Sequence, residues 1–243
     1  MLVLRGVSLS LNPSFPRRRE SRLSTGSPVE SLDSRLRGND GMKLLLKYFS
    51  LEIAAGEIVT LMGPSGAGKS SLLSFIGGSL DPRFHATGDI ILNGASLNDV
   101  PPNCRRVGRL FQDDLLFPHM TVGENLLFAV PRLPQPERLA MMRTALKHAE
   151  LDGFEDRPPH TLSGGQRARV ALMRTLTAKP EAILLDEPFN KLDAKLRGSV
   201  RDYTFAHIAE RRIPALMVTH DRADAPRAGR VLTISDDGEV GDV

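Results

Sequence analysis

The stretch GEIVTLMGPSGAGKSSLLSFIGG, Gly56–Gly78, passes from an apolar run through a glycine-rich turn into a helical pattern. Ile58–Met62 reads as apolar on both faces, the mark of a strand buried in a parallel sheet, and the residues from Gly68 onward read as a helix. Between them, Gly63–Ser70 has the spacing G-x-x-x-x-G-K-S. Glycines let backbone N–H groups turn inward around an anion, and the helix N-terminus adds the positive end of its dipole. In that setting Lys69 reaches the β- and γ-phosphates of a nucleotide and the Ser70 hydroxyl ligates Mg²⁺. The phosphate contacts expected are Gly63, Pro64, Ser65, Gly66, Ala67, Gly68, Lys69, Ser70 and Ser71. A phosphate loop fixes no particular reaction.

Three further stretches end apolar runs in chemistry-bearing residues. AILLDEP, Ala182–Pro188, closes in the adjacent acids Asp186 and Glu187. A carboxylate at the tip of an apolar strand is costly unless it meets a cation, so Asp186 suits magnesium and Glu187 suits the water that attacks the γ-phosphate. On its own such a pair is as often a helix cap. PALMVTH, Pro214–His220, delivers a histidine to the same sheet edge, where it would orient the water. The other histidines, His85, His119, His148, His160 and His207, read as surface or core. In RLFQDDLLFP, Arg109–Pro118, the amide of Gln112 follows another strand and suits Mg²⁺ or water. Candidate catalytic residues are thus Glu187, His220, Lys69 and Gln112; candidate metal ligands are Ser70, Gln112 and Asp186.

LSGGQ, Leu162–Gln166, is a second glycine-rich turn, although one nucleotide needs only one phosphate cradle. The order and spacing of all these stretches resemble the nucleotide-binding subunit of an ABC transporter, closest to bacterial importer-type ATPases. In the family's terms Gly63–Ser71 is Walker A, Gln112 the Q-loop, LSGGQ the signature, Ile183–Glu187 Walker B, Asp193 the D-loop and His220 the switch histidine. The resemblance implies an α/β P-loop NTPase: a RecA-like, mainly parallel sheet with an N-terminal antiparallel β subdomain and a helical subdomain over about 112–177, all one ABC ATPase domain spanning 1–243. It further implies ATP and Mg²⁺ as cofactors, and head-to-tail pairing as a homodimer or with another nucleotide-binding subunit. Ser163, Gly164, Gly165, Gln166 and Asp193 would then complete the partner's site. Its other implied partners are an integral membrane subunit and a solute-binding protein, with the chain peripheral at the cytoplasmic face of the bacterial inner membrane. A groove beside Phe111, Leu115, Leu116 and Phe117 would receive the membrane subunit, with ordinary packing as the alternative.

Two positions depart from the family. The aromatic that usually stacks on adenine falls at Leu11 or Asn12, and strand alternation turns Tyr48 away from the face of Phe49, Leu51 and Ile53. Lys191, in FNKLD, stands where small or neutral residues are commoner. Helices are expected near Val122–Val130, Pro136–Glu150 and Ser163–Thr177. After His220 only about two dozen residues follow, so the regulatory β-domain of some importer ATPases is not expected.

Composition narrows the alternatives. The 243 residues are 41% hydrophobic and 25% charged, as in ordinary globular proteins. No apolar run approaches the roughly 18–20 residues of a membrane-spanning helix, and Arg5 interrupts what would be a secretory core, so the chain is expected in the cytosol. Cys104 is the only cysteine, which excludes an internal disulfide. Of the net charge of +3, the segment Pro13–Gly41 holds +2, leaving too little elsewhere to argue for nucleic acid. That segment is rich in Pro, Ser, Gly and Arg and echoes itself in ESRL (Glu20–Leu23) and DSRL (Asp33–Leu36). It reads as a passive, disordered insertion in a hairpin loop, with a basic arm touching membrane or nucleotide as the alternative. A soluble ABC-type ATPase acting on DNA or ribosomes is the runner-up function, disfavoured because neither a coiled-coil insertion nor a second nucleotide domain is present. A P-loop kinase would not need LSGGQ.

Overall fold

The computed structural model describes residues 1–12 and 42–242. The chain opens with β1 (Leu2–Leu11) and β2 (Lys43–Ile53), paired antiparallel with Leu11 opposite Lys43. It crosses through β3 (Ile58–Met62) and the glycine turn into α1 (Lys69–Ile76). β4 (Phe84–Leu92) returns to the free edge of β1 and carries the short β5 (Ala95–Ser96). β6 (Val107–Leu110) leads to three helices, α2 (Val122–Ala129), α3 (Gln135–His148) and α4 (Gly164–Thr177). The chain then returns through β7 (Ala182–Asp186), α5 (Ala194–Glu210), β8 (Ala215–Val218), β9 (Val231–Ile234) and β10 (Val240–Asp242).

Two sheets result. One is four-stranded and antiparallel, in the order β2-β1-β4-β5. The other runs β10-β9-β3-β8-β7-β6 and is parallel except for the β9–β10 hairpin. This is the α/β P-loop architecture with an antiparallel β unit and helices that the sequence pointed to.

Strands of the parallel sheet are covered on both faces, which is why they lack a polar side. On β7, Ile183 and Leu185 face a core with α2, α3, α4 and α5, whereas Ala182 and Leu184 face the core shared with α1 and the antiparallel sheet. β8 alternates the same way, with Met217 on the first side and Leu216 and Val218 on the second. The sheet is therefore the common wall of two hydrophobic cores, and its strand ends meet along one edge.

The three expected helices form with ends shifted by one or two residues. α2 stops at Ala129 because Val130 turns to extended backbone. α3 stops at His148, and Glu150 beyond it takes a left-handed φ of 52°, the geometry that closes a helix C-terminus. Ser163 is the N-cap of α4 and not its first turn. Leu126 and Leu146 are buried in the helical core and Leu127 and Leu139 pack partly buried against it, as expected of lobe core.

The segment 13–41, read above as an insertion, lies outside the described residues. Because Leu11 and Lys43 already face each other in the ladder, replacing 13–41 by a short glycine-containing turn should preserve the fold. Chemical denaturation should show unchanged or greater stability, by up to about 2 kcal/mol from loop-closure entropy. A clearly lower midpoint would contradict this.

Candidate active site

The residues singled out at strand ends converge along the carboxyl edge of the parallel sheet, where open α/β folds bind ligands. The turn after β3 depends on two glycines. Gly63 has φ 146°, and a Cβ there would lie 2.8 Å from the Ile234 carbonyl oxygen. Gly68 has φ 88° and a Cβ there would lie 3.0 Å from Leu45 Cβ. No side chain caps α1, and its first backbone bond is Leu72 N–H to Gly68 O. The amides of Lys69, Ser70 and Ser71 thus have no acceptor within the helix and point at the turn, a ready site for an anion.

Lys69 folds back across the turn, its Nζ donating to Gly63 O and Pro64 O at 2.8 Å each. Burial lowers its pKa, and the nearby Glu187 and Asp186 oppose that shift. Asp186, 4% exposed, accepts from Ser70 Oγ at 3.1 Å. Burial raises its pKa, partly offset by that hydrogen bond and by Arg109. A buried carboxylate with one hydroxyl donor, next to oxygen ligands of a hydroxyl and an amide, is the donor set a hard divalent cation prefers, so the residues fit Mg²⁺.

Glu187 sits at φ 49°, a left-handed conformation that costs a non-glycine residue about 1–3 kcal/mol and is found at functional sites. Its N–H donates to Val218 O at 2.9 Å, which keeps the residue on the sheet edge. His220 Nδ1 lies 2.8 and 2.9 Å from the two carboxyl oxygens of Glu187. The hydrogen bond to Glu187 raises the His220 pKa. The imidazolium form of His220 is therefore held to higher pH than in a free imidazole and is lost as pH rises through the raised value.

A cavity of about 530 Å³ is lined by Ser65, Gly66, Gly68, Lys69, Ser70, Ser71, Gln112, Asp186 and Glu187 together with Leu11, Lys43, Leu45 and Phe84, and His220 is not in its lining. Pro64 and Ala67 line an adjoining hollow. The signature turn is not part of this cavity. Ser163 and Gln166 form a reciprocal capping box, Ser163 Oγ accepting from Gln166 N–H at 3.2 Å and Gln166 Oε1 from Ser163 N–H at 2.8 Å. Asp193 caps α5, accepting from Leu196 N–H at 3.1 Å.

Two residues at the site were not legible in the sequence. Phe84 supplies an aromatic ring to the cavity lining, directly opposite Leu11 in the β1–β4 register. Arg109 lies beside Asp186 and donates to Ser79 Oγ at 3.0 Å and Ser70 O at 3.4 Å, with its guanidinium 4.2 Å from the Phe111 ring centroid.

The ABC transporter family model matches residues 46–190. The chain belongs to the ABC transporter family. It is 45% identical over 192 residues to an ABC transporter ATP-binding protein, YnjD, of Escherichia coli K12, covering 79% of this chain and 88% of that one. It is 40% identical over 198 residues to the spermidine/putrescine import ATP-binding protein PotA of Oleidesulfovibrio alaskensis, covering 80% of this chain but only 52% of that relative. The solved dimeric structure of MJ0796, a bacterial ABC transporter cassette, superposes with TM-score 0.77 at 30% identity, covering 99% of this chain and 96% of that one. A second structure of that cassette, in a post-hydrolysis state bound to ADP and Pi, superposes with TM-score 0.75 at 29% identity over 100% and 98% of the two chains. The chain is an ATP-binding cassette and an ATPase.

The raised pKa of Asp186 has a signed consequence. Its ionised form is disfavoured in the folded protein, so the carboxylate costs stability in full above the folded pKa, and that cost shrinks as pH falls through the folded value and is gone below the unfolded one. Asp186→Asn should accordingly melt at or above the wild-type temperature in nucleotide-free, metal-free buffer at pH 7. A markedly lower melting temperature would show that the carboxylate is stabilising.

Proposed function

We propose that the chain is the ATP-hydrolysing subunit of an importer, working in pairs and energising solute movement through a separate membrane protein. One observation carries this reading. The chain holds two glycine-rich turns that open helix N-termini, at Gly63–Ser71 and Leu162–Gln166, and only the first lines the cavity. The second is left for another nucleotide. In a head-to-tail pair Ser163, Gly164 and Gly165 of one copy would meet the γ-phosphate held by the other copy's Lys69, with Gln166 bracing the turn and Asp193 beside it. ATP then joins the copies and hydrolysis releases them, because the ligand favours the closed pair only by its differential affinity.

Within one copy the amides of the Gly63–Ser71 turn and Lys69 hold the β- and γ-phosphates, and Phe84 with Leu11 and Lys43 meets the base. Mg²⁺, held by Ser70 and Asp186 with Gln112 nearby, would neutralise phosphate charge. Glu187 accepts the proton of the water whose oxygen bonds the γ-phosphorus while the β–γ bridging oxygen leaves with ADP. His220 fixes the Glu187 carboxylate in place.

The membrane partner follows from a surface. Among the described residues no helix is long and apolar enough to cross a membrane. Phe111, Leu115 and Phe128 are exposed, and Phe128 packs edge-on against Phe117 at 4.8 Å between ring centroids. Leu116 and Phe117 are half-buried beside them. These apolar side chains near Gln112 suit a helix of the membrane subunit, and the chain would then work peripherally at the cytoplasmic face. Import is supported by the relative named as a spermidine/putrescine import ATP-binding protein, and a solute-binding protein would deliver the cargo.

Glu187→Gln should retain ATP binding, lower turnover by at least about 100-fold and accumulate an ATP-dependent dimer by size-exclusion chromatography. Mixing Lys69→Ala with Ser163→Ala protein should restore activity, since each mixed pair keeps one intact composite pocket. No recovery on mixing would exclude sharing between copies.

A further inference from the structure

We propose that Asp114 is a positioning residue of the ATPase, tying the Gln112 loop to the signature helix α4 and to the segment after Glu187. This rests on the reading that Gln112 and the Ser163 turn both serve the nucleotide. The loop following β6 has no regular structure to hold it, and Leu115 within it sits at φ 43°. Asp114, its side chain 13% exposed, supplies the tie. Its Oδ2 accepts from Arg167 Nε at 3.3 Å and its Oδ1 from Lys191 Nζ at 3.1 Å.

Each cation belongs to a different functional segment. Arg167 is in the first turn of α4 and also donates to Leu162 O at 2.6 Å, at the start of the signature turn. Lys191 lies four residues after Glu187, and its carbonyl oxygen is so near Gly165 that a Cβ there would approach it to 2.9 Å. Farther along α4, Arg174 donates to Leu115 O at 2.9 Å and Asp114 O at 3.4 Å, holding the same loop by its backbone. The carboxylate thus fixes where Gln112 stands relative to the Ser163 turn and to Glu187.

The charge count sets the expected pattern. Losing Lys191 leaves Asp114 paired with Arg167, whereas losing the Asp114 charge takes away the acceptor that Arg167 and Lys191 share, so removing Lys191 as well takes away no further ion pair. The effects of Asp114 and Lys191 should therefore not multiply.

The test is steady-state ATPase kinetics of the full chain. Asp114→Asn should lower kcat about 10-fold with KM for ATP within about twofold, and Lys191→Met should lower kcat about 3-fold. The double variant should match Asp114→Asn alone, and Lys191→Arg, which keeps the cation, should stay within about twofold of wild type. Unchanged kcat in Asp114→Asn, losses that multiply in the double variant, or KM rising as kcat holds would each overturn the proposal. Should Asp114→Asn fail to fold, Lys191→Met at wild-type kcat overturns it and a loss rescued by Lys191→Arg supports it. Failure of the composite site would show separately, as mixed Lys69→Ala and Ser163→Ala copies that do not recover.

Discussion

The backbone of Gly63–Gly68 must present its amides to an anion, and the rest of the site follows from that requirement. Ile234 and Leu45 pack so closely against Gly63 and Gly68 that a side chain at either position would collide with them, and both glycines hold φ values a substituted residue would resist. The close walls come from the neighbouring strand β9 and from β2 of the other sheet, so both sheets, through the core they share, help to shape one turn. The turn is therefore packed between the edge of the parallel sheet and the antiparallel unit.

Electrostatics then distributes roles among neighbouring groups. Asp186 is buried, accepts from Ser70 Oγ and is raised in pKa by its burial, an environment in which a nearby cation would favour the ionised form. Glu187, one residue on, is turned by its left-handed φ toward His220 and away from the core. Adjacent carboxylates on an extended backbone would point to opposite faces; with the left-handed φ of Glu187, both line the same cavity. Lys69 is held by carbonyls at 2.8 Å that a γ-phosphate would compete with, which makes the lysine a prepaid element of the site.

Much of this was legible from the chain alone. The apolar runs with no polar face announced a two-sided parallel sheet, and the residues at their ends announced the nucleotide edge, because strand length and period fix where a run must stop. Helix ends moved by a residue or two, as at Glu150, where a left-handed turn no pattern signals closes α3. Phe84, Arg109 and Asp114 were not legible as site residues. Phe84 reaches the cavity only through its long-range pairing with Leu11, and Arg109 sits within a strand with an ordinary charged residue's profile. Asp114 gains its meaning from Arg167 and Lys191, 53 and 77 residues away. Contacts across such separations are set by topology, which local periodicity does not encode.

The composite pocket remains the central proposal, since it alone gives the Leu162–Gln166 turn a ligand and makes ATP the joint between copies. The most direct measurement is a crystal structure of the protein with Mg²⁺ and a non-hydrolysable ATP analogue. The account requires Ser163 Oγ and Gly165 N of one copy within hydrogen-bond distance of the γ-phosphate bound by Lys69 of the other. A nucleotide contacted by one copy only, with the Ser163 turn open to solvent, would contradict it.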